Sequence, residues 1–322
     1  MMTFLYTLLL LTMASALHFA TYNSNGHGPG RIEYISKLML MYDFLLVQEH
    51  WLLDNQIDGY FSQIDNICVH GVSGMDSKNL ISGRPYGGCA IVWKRNLVSQ
   101  VSPISCASSR LCAVTMDIKG LKVLICNVYM PCDTNYHCSN TVIYEETLSE
   151  IKRLSVETGI DTLIIGGDFN TDLLRDSSLH TRLLKEYNAR ENLRTVISEK
   201  QQIDYTYESK ASGARSVIDH FIVSQNILDL IDYVDVVHDG DNLSDHSVLN
   251  IKLSLAVEYF VDSPCGMFTS VKWDKANIED LNVYKSNLDR NLANIVIPWD
   301  AVHCNDFSVV SIHLIYKSFM MI

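Results

Sequence analysis

The chain is poor in positive charge. Lys and Arg number 25 against 37 Asp and Glu, which leaves a formal net charge of −12 over 322 residues. A protein that grips nucleic acid by charge alone carries a basic surface. A phosphate-bearing substrate must therefore be met here by local Arg and Lys, or by metal ions that neutralise an acidic site. Paired-cysteine metal motifs are missing too. None of the nine cysteines (68, 89, 106, 112, 126, 132, 138, 265 and 304) forms Cys-x-x-Cys, which argues against a structural zinc site. Cys89 and Cys126 sit in apolar runs and are expected as buried thiols acting as small hydrophobes. Cys106/Cys112 and Cys132/Cys138 are pairs that an oxidising compartment would allow. The N-terminal apolar run is too short for a membrane span of about 20 residues. The run Phe4 to Leu11 has no Lys or Arg before it, although Ala14-Ser15-Ala16 has the small-x-small form of a cleavage site. Residues 1–16 read either as a secretory signal or as a leader encoded upstream of the domain. Internal repeats and low-complexity tracts are also lacking.

What is present is an ordinary globular composition, 48% apolar and 19% charged, with ample material for a core. The chain is organised around Leu163-Ile164-Ile165-Gly166-Gly167-Asp168-Phe169-Asn170. Thr162 to Ile165 is a short apolar, β-branched run and predicts a buried strand. Gly166-Gly167 is expected to end it in a sharp turn. If the chain stays extended beyond, Asp168 and Asn170 share one face at the strand's mouth. A carboxylate beside a carboxamide there can hold water or a phosphate oxygen next to a hard metal ion. The plainer alternative is a Gly-Asp loop capping a helix that starts near Thr171.

Elsewhere the pattern predicts alternating strands and helices. Leu17 to Tyr22 is a strand running into Asn23, and Arg31 to Tyr42 carries a helical stripe. Asp43 to Val47 is a buried strand that ends in Gln48-Glu49. A carboxylate there is costly unless paired or coordinating. A Gly/Ser-rich loop, 71–88, leads into the strand Cys89 to Trp93, with Arg84, Lys94 and Arg95 as candidate phosphate contacts or plain surface charge. Leu111 to Ile118 and Leu121 to Tyr129 form a hairpin with a Lys-Gly turn. Helices are expected across Val142 to Glu157 and Leu179 to Glu191. Asp204 to Tyr207 is strand-like, Val217 to Val223 is a strand interrupted by Asp219, and Tyr233 to His238 is another. Asp245-His246 then opens the strand Val248 to Leu253, a sound arrangement for a general base. The tail from 256 loosens, with one helix expected from Ile278 to Leu292.

Asn23, Glu49, Tyr129, Asp168, Asn170, Asp219, Asp245 and His246 all fall at or near strand ends, which a sheet protein gathers on one rim. Carboxylates there can hold Mg²⁺, and a His–Asp pair or Asp168 can activate water. At this point the chain resembles the endonuclease/exonuclease/phosphatase superfamily, the DNase I-like fold. The motifs are Tyr22-Asn23-Ser24-Asn25-Gly26, Gln48-Glu49, Asn127-Val128-Tyr129-Met130-Pro131, Gly167-Asp168-Phe169-Asn170, Ile218-Asp219-His220 and Ser244-Asp245-His246, in the family's order over residues 17–255. The wording Gln48-Glu49-His50-Trp51-Leu52, Gly83 to Ala90 and Ser212 to Ser216 is similar to endonuclease domains of non-LTR (LINE-type) retrotransposons.

The resemblance implies an α/β four-layered sandwich of two packed, mainly antiparallel sheets flanked by helices. It implies an endonuclease domain at 17–255, after a leader and before a linker-like tail at 256–322. It implies a Mg²⁺-dependent enzyme, with Mn²⁺ as a substitute ion, that nicks DNA as a monomeric catalytic domain with no membrane span. Glu49 would be the main metal ligand, with Asn23 and Asp245 beside it. Asp168 would handle the attacking water or the leaving group, and Asn170 and Tyr129 would hold phosphate oxygens. His246 would contact the scissile phosphate or act as base, oriented by Asp219, with Arg84 and Arg215 as further phosphate contacts. Elements of this type continue into a reverse transcriptase, which this chain lacks, so a truncated copy is one expectation. A nuclear location follows from that resemblance, and secretion if 1–16 is a signal. A secreted DNase I-like phosphodiesterase and an inert remnant are the competing readings.

Overall fold

The computed structural model describes residues 16–76, 83–118, 120–133, 138–200 and 203–255, together with four helical positions between 278 and 286. Residues 1–15 of the expected leader and nearly all of the tail, with its expected helix, lie outside the described residues. By internal contacts the chain divides into Met1–Val261 and Asp262–Ile322; the fold below is that of the first unit.

In chain order the elements are β1 (Leu17–Asn23), α1 (Pro29–Met41), β2 (Phe44–Gln48), α2 (Asp54–Phe61), β3 (Ile67–Val72), β4 (Cys89–Lys94), β5 (Val101–Ile104), β6 (Leu111–Ile118) and β7 (Leu121–Tyr129). They continue with α3 (Cys138–Thr158), β8 (Leu163–Asp168), α4 (Leu179–Arg190), β9 (Leu193–Thr195), α5 (Val196–Lys200), β10 (Tyr207–Glu208), β11 (Arg215–Ser216), β12 (Asp219–Ser224), α6 (Gln225–Leu228), β13 (Ile231–Val237) and β14 (Val248–Leu253). Two six-stranded sheets result, ordered β13-β14-β1-β2-β4-β3 and β5-β6-β7-β8-β12-β9, with β10-β11 as a separate small ladder. The expected two-sheet sandwich is therefore what the chain forms.

Each sheet contains one parallel pair, β1 with β2 and β7 with β8, among antiparallel neighbours. Parallel neighbours need a crossover, and α1 and α3 supply it. The strands of these two units are apolar on both faces because each face is covered. Phe19, Phe44, Leu46, Ile125, Ile164 and Phe221 fill the layer between the sheets. Ala20, Tyr22, Leu45 and Val47 pack outward on Ile35 and Leu38 of α1 and Phe61 of α2. Leu124, Cys126, Val128 and Ile165 do the same against Tyr144 and Ile151 of α3 and Leu184 of α4. Helix, sheet, sheet, helix: those are the four layers.

Four expectations change in detail. The Gly166-Gly167 pair does not end its strand; β8 runs through both glycines to Asp168. Their smallness serves packing instead. A Cβ on Gly166 would lie 2.5 Å from Leu46 Cδ1 of the opposite sheet, and one on Gly167 2.0 Å from Val128 O. Asp219 does not interrupt its strand but begins it, and of the strand expected at 204–207 only Tyr207 is extended, paired with Ser216. Cys106, Cys112 and Cys132 carry free thiols, so the suggested Cys106–Cys112 bridge does not form; the side chain of Cys138 lies outside the description. Cys89 and Cys126 are buried as expected. Among the described residues no helix is long and apolar enough to cross a membrane.

Candidate active site

The two parallel pairs end at the same rim. Asn23 stands opposite Gln48 at the end of β1 and β2, and Tyr129 stands opposite Asp168 at the end of β7 and β8. The carboxyl ends of parallel strands are where α/β sheets place their ligands. Because Gly166 lets the sheets close up, groups from both meet. Asn23 Nδ2 donates to Glu49 Oε1 at 3.1 Å and to Asp168 Oδ2 at 2.9 Å. Below them Asn127 on β7 reaches across to β2 and β4. Its Nδ2 donates to Val47 O and Ala90 O, each at 2.8 Å, while its Oδ1 accepts from Gln48 Nε2. Gln48 and Asn127 stood in the sequence motifs without a role. The role is a buried polar clamp between the sheets.

Asp168 is almost fully enclosed. Its Oδ1 accepts from the Asn170 backbone N–H at 2.8 Å, and Asn170 Nδ2 lies 3.3 Å from its Oδ2. Asp168 and Asn170 thus meet through a turn, with Asn170 at φ 48°, and not through continued extension. No helix starts at Thr171; α4 begins at Leu179. Asp219 is the register partner of Asp168 on the adjoining strand. Its carboxylate accepts from His246 Nδ1, at 2.9 Å to Oδ2, and its backbone N–H donates to Thr206 Oγ1. His246 Nε2 then faces Asp168 Oδ2 at 3.9 Å. Ser244 and Asn242 anchor this loop. Ser244 Oγ donates to Asn23 O and accepts from the His246 N–H, and Asn242 Nδ2 donates to His246 O. The Tyr207 ring packs 4.9 Å from the imidazole.

The electrostatics follow from burial. Desolvation, then Asp219, raises the Asp168 carboxyl above the usual carboxylate range, against the pull of His246. Burial opposes charge on His246, but Asp219 and Asp168 outweigh it and raise the imidazole to about 10. Burial, then Glu49 and Asp168, pushes the Tyr129 phenol up, so it stays a donor; its hydroxyl bonds to Glu49.

These groups line one cleft of about 630 Å³. Glu49, Tyr129, Asp168, Asn170, Asp245, His246 and Arg84 all contribute, and so do Asn25, Cys132, Asp172 and Arg175, which the sequence reading did not assign. Asn25 Nδ2 holds Asp245 Oδ1 at 2.9 Å, and Cys132 Sγ lies 3.2 Å from Asn170 Oδ1. Arg215 is not part of that lining. It sits on β11, paired with Glu208 and stacked 4.2 Å from the Tyr205 ring centre. The cleft's carboxylates, Glu49, Asp133, Asp168, Asp172 and Asp245, outnumber its Arg residues, and Arg175 already pairs with Asp172. Such an oxygen-rich, under-neutralised donor set fits a hard divalent cation. Asp168, Asp219 and His246 also present ligand atoms within 4.8 Å of one another.

The family described as Endonuclease/Exonuclease/phosphatase matches residues 20–246, most of the chain and every motif above. The chain belongs to that family. Family members are hydrolases of phosphoester bonds. The fold is similar to that of the endonuclease domain of TRAS1, a telomere-specific non-LTR retrotransposon, at TM-score 0.56 and 17% identity, over 75% of this chain and 100% of that one. It is similar to a Neisseria 3′ phosphatase bound to product DNA hairpin, at 0.57 and 18%, over 74% and 99%. The AP endonuclease LMAP from Leishmania major aligns at 0.59 and 14%, over 74% and 87%. No curated protein matches the chain in sequence.

Proposed function

We propose that this member of the family is a divalent-metal-dependent endonuclease that nicks DNA, with Mg²⁺ as its ion, Mn²⁺ as a substitute and a non-LTR retrotransposon as its origin. The observation that carries the reading is the Asn23 carboxamide spanning Glu49 and Asp168. It joins the half-buried carboxylate of one sheet to the enclosed carboxylate of the other within a cleft that also holds His246. Glu49 would hold the ion, with Asn23 and Asp245 beside it. When bound, the ion offsets charge on the phosphate and its leaving oxygen. The similarity in fold to the TRAS1 endonuclease domain, added to the wording around Gln48 to Leu52, supports the origin.

The chain's own groups divide the remaining work. His246 carries a proton at neutral pH, so its Nε2–H donates to a phosphate oxygen and supplies positive charge in a cleft whose carboxylates outnumber its Arg residues. Asp219 fixes that ring through Nδ1, which leaves Nε2 as the group facing the cleft. Asp168, with its affinity for protons raised, is suited to take one from the attacking water. Asn170 and Tyr129 present donors to the non-bridging oxygens.

The test is nicking of supercoiled plasmid by the full chain in Mg²⁺ or EDTA, beside Asp168→Ala and His246→Ala. Mg²⁺-dependent nicking that disappears in both variants is expected. A folded wild-type chain that does not nick, or nicking that survives both substitutions, overturns the reading.

A further inference from the structure

Trp51 has a placement that the mechanism above does not use. It follows Glu49 by two residues, and the two backbones take left-handed φ values of 56° and 52°. Non-glycine residues hold such values only where the surroundings over-determine them. Here the Glu49 N–H donates to Gly88 O at 2.9 Å and the Trp51 N–H to Gly87 O at 3.0 Å. The tight path turns the indole back on its neighbour, and Trp51 Nε1 donates to Glu49 Oε2 at 3.0 Å. Asn23 holds the other carboxylate oxygen. The ring itself is confined. A Cβ on Gly26 would come within 2.8 Å of it, so only glycine leaves it room. The Arg84 guanidinium lies over the ring, 5.0 Å from its centre. Arg84 precedes Gly87 and Gly88 by three and four residues, so one short loop stacks on the indole and also bonds to the Glu49 turn.

We propose that Trp51 is a positioning residue: its indole N–H orients the Glu49 carboxylate for the divalent cation, and its ring holds Arg84 ready for a substrate phosphate. The inference rests on the metal role proposed for Glu49. An indole is a donor only, so it fixes the carboxylate without competing for the ion. A carboxylate has about four lone-pair sites, so bonds from Asn23, Trp51 and Tyr129 still leave a face for the cation. Groups that orient a metal ligand in this way matter by about 10–100-fold in metal affinity. The stacked Arg84 loses side-chain freedom before phosphate arrives, which lowers the ordering cost on binding.

Trp51→Phe separates the two roles, because it keeps an aromatic ring beneath Arg84 and deletes the N–H. Mn²⁺ binding to the full chain is measured by calorimetry without DNA, then nicking is measured across Mn²⁺ and DNA concentrations. In Trp51→Phe we expect Mn²⁺ affinity to fall about 10–100-fold. The nicking rate returns toward wild type at saturating Mn²⁺, and the KM for DNA and the metal-free melting temperature hold steady. Trp51→Ala adds a rise in KM for DNA as Arg84 loses its support. Wild-type Mn²⁺ affinity in Trp51→Phe overturns the proposal, as does a loss of affinity that only tracks a lowered metal-free melting temperature. A folded wild-type chain that binds no Mn²⁺ removes the premise, a different failure that also takes the metal reading with it.

Discussion

Glu49 and Asp168 follow or end matching strands, β2 and β8, each the second strand of a parallel pair with a helical crossover. Their surroundings differ. Glu49 is half-buried, and the groups that bond it are neutral: the Asn23 amide, the Trp51 indole and the Tyr129 phenol. Asp168 is enclosed, with a second carboxylate as its register partner and an imidazole 3.9 Å away. One scaffold used twice therefore yields two electrostatic environments. An open carboxylate held by neutral donors keeps lone pairs free for a cation. An enclosed one beside other titratable groups has its proton affinity raised. The proposed function assigns the ion to the first environment and the proton to the second.

The strongest way to break that division is to neutralise each carboxylate in turn. Asp168→Asn should lower the nicking rate by about 10²–10⁴-fold, the usual worth of a positioned acid or base, with no recovery at high metal concentration. Glu49→Gln should lower it largely through metal affinity, so that raising Mn²⁺ restores part of the rate. Rate against Mn²⁺ concentration for the two variants checks this. Equal recovery in both, or in neither, means that the two carboxylates do not divide the work.

A second test uses acid and alkali on the metal-free protein. His246 is raised to about 10, chiefly by Asp219 once the opposing burial is overcome. A raised histidine contributes stability that is complete below its ordinary value near 6.5 and is lost as pH climbs toward 10. His50, next to Glu49, behaves in the opposite way. Burial lowers it to about 4, with Nδ1 accepting from the Leu52 N–H and Nε2 set against Val72 O. Its contribution is complete above 6.5 and is lost as pH falls toward 4. Melting temperature against pH should therefore lose its alkaline fall in Asp219→Asn and His246→Asn, and should keep it in His50→Gln, where the acid limb flattens instead. An alkaline fall that persists without Asp219 would show that the pair is not its source.

Much of this was legible because strand ends are legible. The runs Phe44 to Val47 and Leu163 to Ile165 are apolar on both faces, and the first polar residues after them, Gln48 and Asp168, mark the rim. What the pattern could not carry was contact between distant segments. Gly166-Gly167 reads locally as a breaker, yet its function depends on Leu46 from the other sheet and Val128 from the next strand. Asn127 looks like one more polar residue in β7 until its amide is seen bonding to Val47 and Ala90. The short pair β10-β11 has no alternation to detect. It is placed by Thr206, whose Oγ1 accepts from both Ile218 and Asp219. Arg84 and Arg215 were equivalent as sequence, and only the fold separates them.

That separation gives the mildest test. Arg84 is exposed, stacked on Trp51 and facing the cleft, with Glu49 and Asp168 among its fellow lining residues. Arg215 spends its guanidinium on Glu208 and the Tyr205 ring. A cation that neutralises one phosphate adds about one to the slope of log affinity against log salt. In an Asp168→Asn background, which retains DNA uncut, Arg84→Ala should lower that slope by about one and weaken binding a few-fold at low salt. Arg215→Ala should leave the slope where it was, because its charge is already met. Arg84→Ala and Arg215→Ala share that background, so a difference in slope between them reports phosphate contact alone. If Arg215→Ala changes the slope and Arg84→Ala does not, the DNA backbone runs past β10-β11 and not along the Trp51 side, and the stacked Arg84 loses its proposed role.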